Sequence, residues 1–331
     1  MDNQQKTVLI IKLGYCETLA NEVGFTPSLG DVFRHTVLLH HYKNHRVTWL
    51  TSDSALPLLS GNPFIAELMI YDPQKTPAEL ARRSFDEVLC LEKASSICEL
   101  AKTVNTKRHL GFGWDGKNVH AHPLSETALQ IANGRGAGAP IQAVLYQMIG
   151  ARWNKEGYVL GYKPSARPVI DVGLNYLVGS KWPTKAWPMD YWKRLEALLV
   201  RNGYSVSWQR GSSDLQEYMN WVGSLRMIIT CDSLGMHLGI ALERKVIALF
   251  GPTPSDQIYL YDRGLILRPD RPCPMSPCMK NKCAAARCCM EYIYPESVFT
   301  SAVSLLGGGF SRLRTRRTVK TRGLSRPAFK P

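Results

Sequence analysis

Cys231-Asp232-Ser233-Leu234-Gly235-Met236-His237 sits between two apolar runs, residues 227–230 and 238–242. The first run, Met-Ile-Ile-Thr, is short and rich in β-branched side chains, so it reads as a buried strand. The second opens a helix, with Asp232 or Ser233 placed to cap it. A strand that turns at once into a helix presents unpaired backbone N–H groups and the positive end of a helix dipole. Such an end is suited to a phosphate or diphosphate.

Immediately downstream, Val-Ile-Ala-Leu-Phe at 246–250 forms another apolar strand, and Gly251-Pro252-Thr253-Pro254 turns the chain at its carboxyl end. Open α/β sheets bind ligands beyond the carboxyl ends of their strands, so the two adjacent turns predict one crevice. The same alternation extends through the chain. Strands are expected over 7–13, 46–51, 68–71 and 87–91, with helices over 29–42, 55–59, 77–83, 95–104 and 126–149. In the second half, strands fall at 169–173, 205–209, 227–231, 246–250 and 264–267, and helices at 189–202, 213–223, 237–243 and 295–306. Gly, Pro and Ser cluster between 157 and 168 and mark the join of two α/β units.

Composition suits a soluble enzyme. The 331 residues are 45% hydrophobic and 21% charged, and the length allows two domains with substantial cores. No apolar run approaches the roughly 20 residues needed to cross a bilayer. Met-Asp-Asn-Gln-Gln-Lys leads into a strand rather than a signal peptide, which predicts a cytoplasmic protein. The formal net charge is +14 and is unevenly placed. Eight of the basic residues (Arg312, Arg314, Arg316, Arg317, Lys320, Arg322, Arg326 and Lys330) lie between 310 and 331, a stretch with no acid. Gly307-Gly308-Gly309 separates that tail from the body. It reads as a disordered appendage, either incidental or attracted to anionic lipid or lipopolysaccharide at the inner membrane. Without interleaved aromatics it does not suggest a nucleic-acid partner.

These motifs, in this order, resemble family 9 glycosyltransferases, the bacterial lipopolysaccharide heptosyltransferases, over roughly residues 7–306. Ser28-Leu29-Gly30-Asp31-Val32 is similar to the family's turn before its first helix, Lys185-Ala186-Trp187-Pro188 to its Lys-x-Trp-Pro segment, and Asp232, Ser233, Gly235 and His237 to its donor-site turn. Cys289-Met290, Ile293, Pro295-Glu296 and Val298 fit the end of its second domain. Two features differ: residues 13–27, with Cys16, Glu17, Asn21 and Glu22, form an apparent insertion, and Leu234 stands where the family often has Gly.

The resemblance implies an α/β chain of GT-B fold, with two Rossmann-like doubly wound domains facing each other across a cleft. The expected domains are 1–163 for the acceptor and 164–306 for the nucleotide-sugar, followed by the tail, 307–331. It implies an inverting transfer of a heptose or related sugar from a nucleoside-diphosphate-sugar, ADP-heptose by preference. The expected acceptor is the lipopolysaccharide core; the alternatives are an autotransporter protein as acceptor, or a catalytically silent sugar-nucleotide-binding partner. Asp31 is then the candidate general base. Lys185, Asp232, Ser233, Leu234, Gly235, His237 and Thr253 are the candidate donor contacts, and Lys12, Arg34 and His35 the candidate acceptor contacts. Trp187 is expected to pack beneath the donor site. No cofactor is implied for catalysis.

Two further patterns compete for a functional reading. Gly111-Phe-Gly-Trp-Asp-Gly116 matches G-x-G-x-x-G, but no helical period follows it. It reads as a surface turn or a loop over the acceptor cleft rather than a dinucleotide site. No G-x-x-x-x-G-K-[S/T] occurs. Cys273, Cys278, Cys283 and Cys288 recur at five-residue intervals, with Cys289 adjacent. Disulfides are disfavoured in a reducing cytoplasm, and clustered thiolates can bind Zn or Fe structurally, although these spacings are wider than a C-x2-C knuckle. Similar cysteines occur in the family, and in some relatives a cysteine cluster holds iron. Reduced free thiols are the alternative.

Overall fold

The computed structural model describes residues 5–16, 26–132, 138–165, 167–211, 214–271 and 273–307. The basic tail from 310 onward lies outside the described residues, as do Glu17, Asn21 and Glu22 of the 13–27 insertion.

The first half carries β1 (Thr7–Ile11), α1 (Leu29–Arg34), β2 (Arg46–Thr51), α2 (Leu56–Leu59), β3 (Glu67–Ile70), α3 (Thr76–Leu80), β4 (Ser84–Phe85), β5 (Glu87–Cys90), α4 (Ser95–Thr103), β6 (Asn105–Thr106), β7 (His109–Trp114), β8 (Val119–Ala121), α5 (Glu126–Ala132) and α6 (Ile141–Met148). The second half carries β9 (Ile170–Asn175), α7 (Met189–Arg201), β10 (Val206–Trp208), α8 (Leu215–Gly223), β11 (Leu225–Cys231), α9 (Leu234–Ala241), β12 (Lys245–Leu249), β13 (Gly264–Leu267) and α10 (Pro295–Leu306).

The strands form two main sheets. The first runs β3-β2-β1-β5-β7-β8, parallel except for the β7–β8 hairpin. The second runs β10-β9-β11-β12-β13 and is parallel throughout. Parallel strands covered on both faces read as continuous apolar runs, and Val8-Leu9-Ile10-Ile11 and Met227-Ile228-Ile229 are all buried. In each sheet the chain starts near the middle and winds outward both ways, which brings loops together at the carboxyl ends.

The two halves share a core. One cluster joins Leu9, Ile11, Phe33 and Leu38 of the first half to Met219, Val222, Met236 and Leu238 of the second. The second sheet's other face has its own cluster, with Trp192, Leu195, Ile229, Leu249 and Val298. Helix α1 packs directly on α9.

Four sequence expectations shift. The helix expected over 29–42 stays α-helical only to Arg34 and tightens to a 3-10 turn over His35–His40. There the Thr36 hydroxyl donates back to the Phe33 carbonyl at 2.8 Å, and the adjacent β-branched pair Thr36-Val37 disfavours the wider helix. The helix expected over 126–149 is two, α5 and α6, parted by a segment with Gly134, Gly136, Gly138 and Pro140, residues that end helices. Residues 133–137 of that segment lie outside the described residues. The G-x-G-x-x-G stretch is neither a phosphate loop nor a simple surface turn: Gly111 to Trp114 finish β7, and the chain turns back into β8. Helix α9 begins at Leu234, three residues before the expected start.

Candidate active site

A cleft of about 660 Å³ opens between the halves. Ser28, Gly30, Asp31 and Arg34 line it from the first domain, and Lys185, Asp232, Ser233, Leu234, His237 and Thr253 from the second. The two walls come close at the helix starts. A Cβ on Gly30 would stand 3.0 Å from the His237 ring, so a larger residue there would require that ring to give way.

The second-domain wall is built from strand ends. Asn175 closes β9 opposite Thr230 of β11, and its amide donates to the Thr230 hydroxyl at 2.7 Å and the Ser233 hydroxyl at 2.9 Å. Tyr218 donates to the Asn175 carbonyl oxygen at 2.8 Å. Ser233 occupies the N-cap position of α9 with extended backbone, but its hydroxyl makes no cap bond; this network engages it instead. The first N–H groups of α9 thus start at the cleft without a side-chain oxygen capping them. Gly235 does not line the cleft, contrary to its place among the candidate donor contacts. A Cβ there would fall 2.4 Å from the Tyr218 hydroxyl and 2.5 Å from the Asn175 amide, so glycine is needed for this close packing.

Lys185 ends a 3-10 turn over Pro183–Lys185 and reaches Asp232 at 2.8 Å, with the two side chains only 12% and 17% exposed. Burial alone would raise the Asp232 pKa; the Lys185 charge overrides it and holds the carboxyl below its usual range. His237 is pushed down to about 4, chiefly by burial, so its ring is neutral at pH 7. Trp187 lies outside the cleft wall, donating its indole N–H to the Ile293 carbonyl at 2.9 Å and packing edge-on against Trp192.

The first-domain wall centres on Asp31, on the first turn of α1. It is ion-paired to Lys12 at 2.5 Å and to Arg34. Burial would raise its pKa, but Arg34 and then Lys12 outweigh that and keep it well below the ordinary carboxylate range. Of the three candidate acceptor contacts, only Arg34 lines the cleft. Lys12, at the end of β1, is fully buried, spanning Asp31 and Glu92 at 3.2 Å. Burial would lower its pKa; its two carboxylates raise it instead. His35 is 5% exposed, with Nδ1 2.5 Å from the Asp31 carbonyl oxygen, and burial drives its pKa well below 6.5. Lys12 and His35 therefore sit behind the wall: Asp31 and Glu92 pair the buried Lys12, and the 3-10 turn after Arg34 carries His35 into the core.

Sequence reasoning did not single out Glu92, Asn175 or Tyr218. The first two carry a legible signal, a polar residue at the carboxyl end of an apolar strand. Tyr218 sits mid-helix and carries none.

The segment that carries the cysteines borders the second-domain wall: Pro277 and Met279, on either side of Cys278, line the cleft. Cys289 is buried against Gly251, Cys283 is exposed, and hydrogen bonding from Cys289, then from the Met290 backbone and Cys283, outweighs burial and brings the Cys288 thiol down to about 6. Among the described residues no group of three or more His, Cys, Asp or Glu is arranged to hold a metal ion. Cys273, Cys278 and Cys288 nevertheless all act electrostatically on the Cys289 thiol, so the five cysteines lie in one neighbourhood. Nor does any helix among the described residues have the length and apolarity to cross a membrane.

Two doubly wound domains, facing across a cleft lined by their strand-end loops, define the GT-B class of fold. A solved family 9 glycosyl transferase from Veillonella parvula superimposes with a TM-score of 0.63 at 18% identity, covering 92% of this chain and 98% of that one. E. coli heptosyltransferase WaaC, solved with ADP-2-deoxy-2-fluoro heptose, gives 0.58 at 13% identity, covering 89% and 98%. Residues 210–288 match the family model of glycosyltransferase family 9 (heptosyltransferase). Lipopolysaccharide heptosyltransferase 1 of Pseudomonas aeruginosa is 30% identical over 139 residues, 34% of this chain. That alignment spans 39% of the relative's own length. Residues 210–288 thus carry the sequence likeness to glycosyltransferase family 9, and the fold over most of the chain is that of its solved members.

Proposed function

We propose that the protein is an inverting glycosyltransferase that moves a heptose from ADP-heptose to a hydroxyl of the lipopolysaccharide core. One observation carries this reading: a carboxylate held ionised on one wall of the cleft, Asp31, faces the amino end of a helix and a lysine on the other. The diphosphate sits over Ser233 and Leu234, where the N–H groups at the start of α9 and the Lys185 ammonium meet its charge. Thr253 borders the same region.

The reaction is one displacement. The acceptor hydroxyl oxygen attacks the anomeric carbon from the first-domain side, its proton passes to an Asp31 carboxylate oxygen, and the anomeric C–O bond to the diphosphate breaks on the opposite side. Lys185 and the α9 amino end stabilise the charge that grows on the departing ADP. Neutral His237 adds no charge at pH 7 and bridges the walls beside the reacting centre. Arg34 extends a cation toward an anionic acceptor while holding Asp31 ionised. The cysteines take no part in transfer.

Incubation with a panel of nucleoside-diphosphate sugars and heptose-deficient lipopolysaccharide acceptors tests the reading. Transfer with ADP-heptose and inversion at the anomeric carbon are expected; transfer from none of the panel overturns it. Asp31→Asn is expected to cut kcat roughly 10²–10⁴-fold with ADP affinity unchanged. Near-normal turnover would remove Asp31 from the role of base.

A further inference from the structure

Glu92 lies immediately beyond β5, is fully buried, and is used by nothing in the mechanism above. One carboxylate oxygen accepts from the backbone N–H of Leu13 at 2.8 Å and of Gly14 at 2.6 Å, and the other from Cys16 at 3.3 Å. Gly14 has a φ of +87°, a conformation that turns successive N–H groups toward one point and forms an anion-binding concavity. A Cβ on Gly14 would also come 2.8 Å from a Val32 methyl and 2.9 Å from the Ser28 carbonyl oxygen. The first strand-to-helix turn of this Rossmann-like domain is where a phosphate nest would sit, and the protein fills it with its own carboxylate.

That carboxylate also contacts Lys12 at 3.2 Å, and Lys12 is in turn 2.5 Å from Asp31. Arg34 at the end of α1, Lys12 just beyond β1 and Lys93 after β5 bring positive charge to Asp31, beside the neutral rings of His35 and His237. A carboxylate ion-paired to both Arg34 and Lys12 is a poor proton acceptor. Glu92 is the buried negative charge that shares its lysine.

We infer that Glu92 is a positioning residue for the transfer reaction: held in the Leu13–Gly14–Cys16 nest, it takes up part of the Lys12 charge and leaves Asp31 basic enough to accept the acceptor proton. The inference rests on Asp31 being the base. Charges about 6 Å apart at an effective dielectric of about 20 couple by about two pKa units. Part of that change is expressed in the rate of proton transfer, so Glu92→Gln should lower kcat roughly 3–10-fold.

The test is a cycle of E92Q, D31N and the double variant, measured with the full chain, ADP-heptose and a lipopolysaccharide acceptor. E92Q should reduce kcat in the native background, leave ADP affinity unchanged, and cause no further loss in the D31N background. Glu92→Asp, which keeps the charge, should recover much of the rate, and it supplies the same comparison if E92Q does not fold. Equal losses in both backgrounds would mean a structural role only, and native kcat in E92Q would mean none; either overturns the inference. Failure of the base assignment is read separately, from D31N alone.

Discussion

Replacing Lys185 with Ala removes the cation expected to meet the donor diphosphate and strands the carboxylate beside it. A charge-assisted hydrogen bond contributes about 1.5–3 kcal/mol, equivalent to roughly 10–150-fold in Kd. The geometry adds a second effect. Lys185 and Asp232 are 2.8 Å apart and mostly buried, so Lys185→Ala leaves Asp232 facing the incoming diphosphate without its counter-ion. Repulsion between unit charges near 4 Å costs from about 1 kcal/mol in water to about 4 kcal/mol at an effective dielectric of 20. Calorimetry of ADP binding should therefore show at least a tenfold weakening in Lys185→Ala. The double variant Lys185→Ala/Asp232→Asn should regain about tenfold, because it removes the repulsion while the lost contact stays lost. Unchanged ADP affinity in the single variant would place the diphosphate elsewhere. A double variant no better than the single one would show that Asp232 does not face the diphosphate.

Two further outcomes follow from pKa values. His237 is neutral in the fold with a pKa near 4, against about 6.5 unfolded. The unfolded chain thus binds the extra proton first, so this stabilisation is complete above about pH 6.5 and is lost as pH falls toward 4, on the order of 3 kcal/mol. Denaturant unfolding at pH 5 and pH 7 should show about 2 kcal/mol of that loss in the native chain and less in His237→Gln; equal losses in both would refute it. With its thiol near 6, Cys288 should alkylate first among the cysteines at pH 7, with a rate half-maximal near pH 6, whereas Cys231, pushed up to about 12 by burial, should stay inert until the protein unfolds. Peptide mapping after a brief iodoacetamide pulse reads both.

The legible part of this protein lay where local chemistry and tertiary role coincide. The apolar strands, the turn at Asp232-Ser233 and the crevice beside Thr253 follow from patterns that need no knowledge of distant residues. The ion pair between Lys185 and Asp232 was not readable, because 47 positions separate them and only the sheet order brings them together. Lys12 and His35 were misplaced for a related reason. A basic residue near a strand end suggests an outward-facing ligand contact, but Glu92 and Asp31 make burial tolerable for Lys12, and the tightened turn after Arg34 rotates His35 inward. The end of the helix at 132 was signalled by its glycines and Pro140, yet an apolar period resumes beyond them and hides the break.

The apolar seam where α1 meets α9 also governs how such enzymes can be recombined. Because Phe33 and Leu38 share one cluster with Met236 and Leu238, neither half carries a complete set of side chains to cover itself in water. Hybrids that graft the acceptor half of one relative onto the donor half of another therefore inherit a matching problem at this seam, far from any substrate atom. The pairing of Gly30 with His237 is the first place to check for compatibility. A graft that places a branched residue at position 30 must find room against the His237 ring, and where that ring does not yield, the two walls of the cleft part at this point.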